Sequence, residues 1–181
     1  DGYYTLELEP GLHEICELLV SGWTQTSPDP GTADCGINGN GYEINANESG
    51  AVVDDNNFEN KIATLPPISI PGKQFKQTST IPVKFASPGD DFVGAELFVC
   101  KNPSVVGNLS DPSKCKEAVS SGKSNTDNIF RYDSTAMQYI FNLSTKMEIF
   151  KNNGTAFDLW IDLDGGGTDF SPIPFATITI K

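Results

Sequence analysis

The chain is short of positive charge, has one histidine and lacks any close pair of cysteines, and each shortage excludes a class of function. Of its 181 residues, 12 are Lys or Arg against 24 Asp or Glu, a net charge of −12. Nucleic-acid binding needs a basic face against the phosphates, so it is set aside. His13 is the only histidine and no Cys-x-x-Cys spacing occurs, so a Cys/His zinc site has no ligand set. His13 lies beside a strand with no nucleophile patterned around it, which leaves no triad, and no Gly-rich phosphate loop is present. The chain reads as a non-enzyme. No run of about eighteen apolar residues is available, so membrane insertion is not expected. No leader or anchor pattern is read either, which fits a processed chain or part of one.

What is present is short alternating runs broken by Gly, Pro, Asn and Asp. This is the signature of an all-β chain of antiparallel sheets rather than of helices. Before a Pro-rich boundary the pattern predicts strands at Tyr3–Leu8, His13–Leu19, Tyr42–Ala46 and Val52–Phe58. The stretch from Ser21 to Gly41 is expected to be an irregular loop, with Trp23 plugging one end of a core. Leu65-Pro66-Pro67-Ile68-Ser69-Ile70-Pro71-Gly72 is stiff and extended, a spacer between two domains covering 1–64 and 73–181. In the second domain Ile81, Val83 and Phe85 alternate, as do Ala95, Leu97 and Val99. So do Tyr139, Phe141 and Leu143, then Phe157, Leu159, Ile161 and Leu163, with a last strand near Phe175–Ile180. Asp158, Trp160 and Asp162 fall on the opposite side of their strand. Pro82 has no N–H for a ladder, so its strand belongs at an edge or a bulge. Residues 101–125 form an insertion with a helical turn expected at Pro112–Val119.

The four cysteines, Cys16, Cys35, Cys100 and Cys115, allow three pairings. If each pair lies inside one domain, the pairs are Cys16 with Cys35 and Cys100 with Cys115. Structural disulfides point to an oxidising, extracellular or cell-surface location. Four sequons, at Asn47, Asn108, Asn142 and Asn153, lean the same way as glycosylation acceptors. Asp162-Leu163-Asp164-Gly-Gly-Gly-Thr-Asp169 is an acidic, Gly-rich loop, and Asp162, Asp164 and Asp169 are its candidate calcium ligands. Asp54-Asp55-Asn56-Asn57 and Asp90-Asp91 are weaker versions. Apart from such a calcium, no cofactor is expected. Tyr3, Tyr4, Trp23, Tyr42 and Trp160 form a candidate sugar platform, although aromatics in strands usually serve cores and cross-strand pairs.

Two family resemblances add to this reading. Asp1-Gly2-Tyr3-Tyr4, Glu9-Pro10-Gly11, Ile15-Cys16-Glu17, Ser21-Gly22-Trp23-Thr24-Gln25-Thr26, Gly41-Tyr42 and Asn57-Phe58-Glu59-Asn60-Lys61 occur in that order over residues 1–62. Together they resemble the later half of a Cna-B or SdrD B-like domain, a transthyretin-like sandwich repeated in microbial surface proteins. Residues 73–181 are similar to the Ig-like PxKF domain, through Ser79-Thr80-Ile81-Pro82-Val83-Lys84-Phe85, Phe130-Arg131-Tyr132-Asp133, Gln138 to Lys146 and Leu159 to Gly167. The two resemblances imply tandem Ig/transthyretin-like sandwiches, the first lacking its opening strands. The Cna-B resemblance further implies an isopeptide site with Glu17 as the proton shuttle and Asn60 as the amide acceptor. Its lysine belongs on an early strand that residues 1–62 do not show.

The expectation is therefore a structural module of a microbial cell-surface or filament protein. It would self-associate through exposed strand edges, with donation of a strand between subunits as the specific form. The alternative is an adhesin-type module that binds a host or cell-surface glycan or protein.

Overall fold

The computed structural model describes residues 4–47, 52–87, 92–101, 115–151, 155–163 and 175–181. These residues carry thirteen strands and two short 3-10 turns, with no α-helix among them. The chain divides into two compact units, residues 1–61 and 62–181.

In the first unit, β1 (Gly11–Ile15) pairs antiparallel with β4 (Asn40–Ala46), which also pairs with β3 (Ala33–Asp34). A second sheet joins β2 (Trp23–Ser27) to β5 (Glu59–Ile62). The strand expected at Tyr3–Leu8 is not found over its described residues. Residues 4–9 carry no strand, and β1 takes β4 as its partner instead. The local reason is Tyr4. Its hydroxyl donates to the Asn56 carbonyl and its ring lies 6.2 Å from Phe58, so its segment is committed elsewhere. Residues 52–58, expected as a strand, form that lining instead.

The stretch expected as irregular loop contains β2 and β3. Its polar residues hide the strand signal, and a side chain adds a link from β2 to a strand of the other sheet. Gln25 donates from Nε2 to the Asn40 carbonyl at 3.0 Å and accepts the Asn40 N–H at Oε1 at 2.8 Å. That carboxamide substitutes for a backbone rung between β2 and β4.

The second unit has two sheets. One has the order β10 (Arg131–Asp133), β11 (Gln138–Ser144), β7 (Thr80–Ala86). The other has the order β6 (Gln74–Phe75), β13 (Ala176–Ile180), β12 (Ala156–Asp162), β8 (Glu96–Lys101), β9 (Cys115–Glu117). All pairings are antiparallel except β6 with β13. Ile81, Val83 and Phe85 of β7 and Phe141 and Leu143 of β11 are completely buried, as are Leu97, Val99, Phe157, Leu159 and Ile180 of the other sheet. The period-2 pattern of the sequence thus points its apolar face inward. Pro82 sits on β7, the end strand of its sheet, where a missing donor costs least.

Three expectations are corrected here. The Pro-rich stretch 65–72 is docked on the second unit, with the Leu65 N–H bonded to the Lys84 carbonyl at 3.0 Å and Ile68 buried. Residues Cys115–Glu117 form a strand, not a helical turn, because Cys115 lies opposite Cys100 in the β8–β9 register. Finally, β12 is buried on both faces, with Asp158 and Trp160 each 2% exposed and Asp162 at 0%. The second face is covered because Trp160 packs on Cys100, Cys115 and Phe98, and the Thr177 hydroxyl donates to Asp158 Oδ1 at 2.7 Å.

Candidate functional site

The residues with the most unspent chemistry are Glu17 and Asn60. Glu17 follows β1 and Cys16, and Asn60 lies on β5. The fold brings them together across 43 residues of sequence, with Asn60 Nδ2 donating to Glu17 Oε1 at 2.5 Å. Glu17 Oε2 and Asn60 Oδ1 are buried and are the only such side-chain atoms without a partner among the described residues. A buried acceptor left unpaired costs about 1–3 kcal/mol, and more when it is charged. Two adjacent orphan acceptors call for one donor, best a cationic one.

The surroundings are aromatic. The Tyr42 and Phe58 rings meet edge to face at 5.3 Å, and the Tyr42 hydroxyl donates to the Asn57 carbonyl at 2.6 Å. Tyr4 stands on the other side of Phe58. Burial pushes the Tyr4 hydroxyl above its ordinary value, and the nearby Tyr42 and Glu17 add to the rise. Lys61 is the only lysine or arginine in residues 1–61, and it is exposed on the same strand as Asn60.

Both disulfides close locally. Cys16 bonds Cys35, and Cys100 bonds Cys115. The first ties the end of β1 to the loop between β3 and β4. Its sulfurs lie against Gly41, where a Cβ would stand 2.5 Å from Cys35 Sγ and 2.3 Å from the Ile15 carbonyl oxygen.

Of the candidate calcium ligands, Asp164 and Asp169 lie outside the described residues, as do Asp90 and Asp91. Asp162 is on β12, fully buried and directly opposite Glu96 of β8. Among the described residues no group of three or more His, Cys, Asp or Glu converges to hold a metal ion. Asp54 and Asp55 are exposed.

Burial raises the Glu96 carboxyl above its ordinary 4.5. A hydrogen bond with Asn128 opposes this, while Asp162, Glu117 and Asp127 add to it. A raised folded-state value means that the native chain holds the proton longer than the unfolded chain does. Glu96 therefore contributes stability below about pH 4.5 that is lost as pH rises through its folded value. The melting temperature of wild type relative to Glu96→Gln should fall between pH 4 and pH 7, as the carboxyl becomes charged. A relative melting temperature that rises instead would refute the assignment.

The sequons divide. Asn47 is exposed at the end of β4, whereas Asn142 is half-buried within β11, its Nδ2 donating to Ser124 Oγ at 3.0 Å. Asn108 and Asn153 lie outside the described residues. The sugar platform is not assembled. Trp160 is buried on the disulfide of the second unit, Tyr4 and Tyr42 flank Phe58 in the first, and Trp23 is half-buried on β2. Tyr3 lies outside the described residues. His13 is half-buried on β1, with its Nε2 2.7 Å from the Glu9 carbonyl oxygen. Phe58 and Glu96 belong to these sites without having been singled out, since only the fold shows which residues they face.

No protein-family model matches the chain, and no curated protein matches it.

Proposed function

We propose that this chain is a non-enzymatic, extracellular structural module of a microbial surface or filament protein, and that its first unit is completed by a β-strand from a neighbouring subunit. The observation that carries the reading is the contrast in burial. Among the described residues of 1–61 only Ala33 and Ile44 are buried hydrophobic core side chains, while Tyr4, Leu6, Leu8, Leu12, Leu18, Val20, Ile37, Val52 and Val53 are exposed. Leu18 is 82% exposed and Val52 80%. The second unit supplies every other buried hydrophobic core side chain of the described residues.

A sheet skeleton with so little interior cannot offset the entropy of ordering its chain by burial alone. It gains most from an added layer. β1 ends its sheet, so its outer edge offers ladder groups to an incoming strand. The orphan pair Glu17 and Asn60 offers that strand a polar anchor. Two disulfides fit an oxidising compartment, and no helix among the described residues is long and apolar enough to cross a membrane.

Hydrogen exchange on the isolated chain tests the reading. Amides of β1, β2, β4 and β5 should exchange much faster than those of β7, β11 and β12, reflecting a low local opening free energy. Equal protection of the two units in a monomer would mean that nothing is missing, and would end the proposal.

A further inference from the structure

We infer that the strand completing the first unit is basic, so that this face is a docking surface for a cationic, strand-forming polypeptide. The inference rests on the strand-addition reading and specifies the partner. Its first support is a charge asymmetry. Residues 1–61 carry twelve acidic side chains against one lysine, a net charge of −11, whereas residues 62–181 carry twelve against eleven, a net charge of −1. Nearly all the charge of the protein is therefore on the unit with the open interior.

The second support is local and lies along β1. Glu14 stands directly opposite Glu43 in the β1–β4 register, and both are exposed. Like charges facing each other across a ladder destabilise it unless a cation sits between or beside them. Three residues along, just past the end of β1, Glu17 Oε2 and Asn60 Oδ1 are buried acceptors without a donor. A strand laid on the free edge of β1 and continuing past its end alternates its side chains between two faces, so positions three apart point to opposite ones. Lysine or arginine on one face would relieve Glu14 and Glu43. A lysine on the other would supply the donor that Glu17 and Asn60 lack.

The first unit of a second copy does not fit this role, since it repeats the same acidic composition. Exposed apolar side chains at Leu12, Leu18 and Val20 flank the acidic positions. The matching partner thus mixes apolar residues with basic ones on both of its faces.

The test measures binding of three capped peptides of about eight residues, a usual strand length, to the whole oxidised chain by calorimetry. One repeats Val-Val-Lys-Lys, which puts lysine on both faces of a strand, one repeats Val-Val-Glu-Glu, and one repeats Pro-Pro-Lys-Lys. The Val/Lys peptide should bind at least about tenfold more tightly than the other two, and should weaken with rising ionic strength. Glu17→Gln and Glu14→Gln should each reduce its affinity, and binding should slow hydrogen exchange in β1. Equal binding of the Val/Glu peptide would overturn the inference while leaving strand addition intact. Equal binding of the Pro/Lys peptide would reduce it to counter-ion attraction, and so overturn it too. If none of the three binds, the inference falls, and the exchange pattern of the free chain decides separately whether the first unit lacks a strand.

Discussion

Phe85→Ala should destabilise the second unit by about 3–5 kcal/mol, the cost of deleting a large aromatic from a packed core. Phe85 is fully buried on β7. Its ring stacks on Tyr139 at 4.9 Å with planes 11° apart, and meets Phe130 at 5.2 Å, Phe175 at 5.9 Å and Phe92 at 6.0 Å. Tyr139 is its cross-strand partner in the β7–β11 register, so the contact is set by the ladder and cannot slide to fill the void. The surrounding rings are pinned in turn, the Tyr139 hydroxyl accepting the Phe92 N–H at 2.9 Å. A cavity ringed by such side chains collapses poorly, which puts the cost toward the upper end of the range. Denaturant unfolding followed through Trp160, in a Trp23→Phe background, reads this unit alone. The midpoint should fall with little change in slope. A loss below about 1 kcal/mol would show that the aromatic cluster is not the centre of the core.

Replacing Cys16 and Cys35 together by serine should unfold the first unit and leave the second folded. Closing a loop with a sequence separation of 19 is worth roughly 3 kcal/mol in chain entropy, and more sequence-distant contacts rarely compensate in a unit with two buried hydrophobic core side chains among its described residues. The same bond sets the end of β1, from which Glu17 reaches Asn60, so the polar pair should be lost with it. Trp23 on β2 reports the first unit and Trp160 the second, which makes the outcome visible by fluorescence in single-tryptophan variants. Trp23 should shift to the emission of an exposed indole while Trp160 stays unchanged. Gly41→Ala should act in the same direction with both cysteines intact, because its Cβ would stand 2.3 Å from the Ile15 carbonyl oxygen and 2.5 Å from Cys35 Sγ, and backbone does not yield cheaply. If Trp23 remains native-like in the double serine variant, the first unit has a source of stability that its burial does not reveal.

The legibility of the two units differed for a physical reason. In the second, alternation in runs such as Ile81-Pro82-Val83-Lys84-Phe85 is driven by burial of one sheet face, and burial is written into residue type. Strand class, core face and the edge position of Pro82 were readable from that pattern. In the first unit the same alternation misled. Tyr4, Leu6 and Leu8 have the pattern of a strand, yet they remain exposed in a segment with no ladder. Period-2 patterning marks a segment suited to a sheet, but a strand also needs a free neighbouring edge. The reverse failure is β2, a polar strand that pairs with β5 and is tied to β4 of the other sheet by the Gln25 carboxamide, neither of which apolar residues advertise.

By itself, then, the sequence determined the all-β class, the core residues of the second unit and cysteine spacings suited to local disulfides. These follow from period, turn chemistry and short loops, all of which are local properties. Only the tertiary structure decided that β12 is buried on both faces, that Glu96 faces Asp162, and that Glu17 and Asn60, which the resemblance had named together, keep two acceptors left over. Register and the packing of one sheet on another bring together residues far apart in the chain, and no local pattern encodes which side chain a given residue will meet.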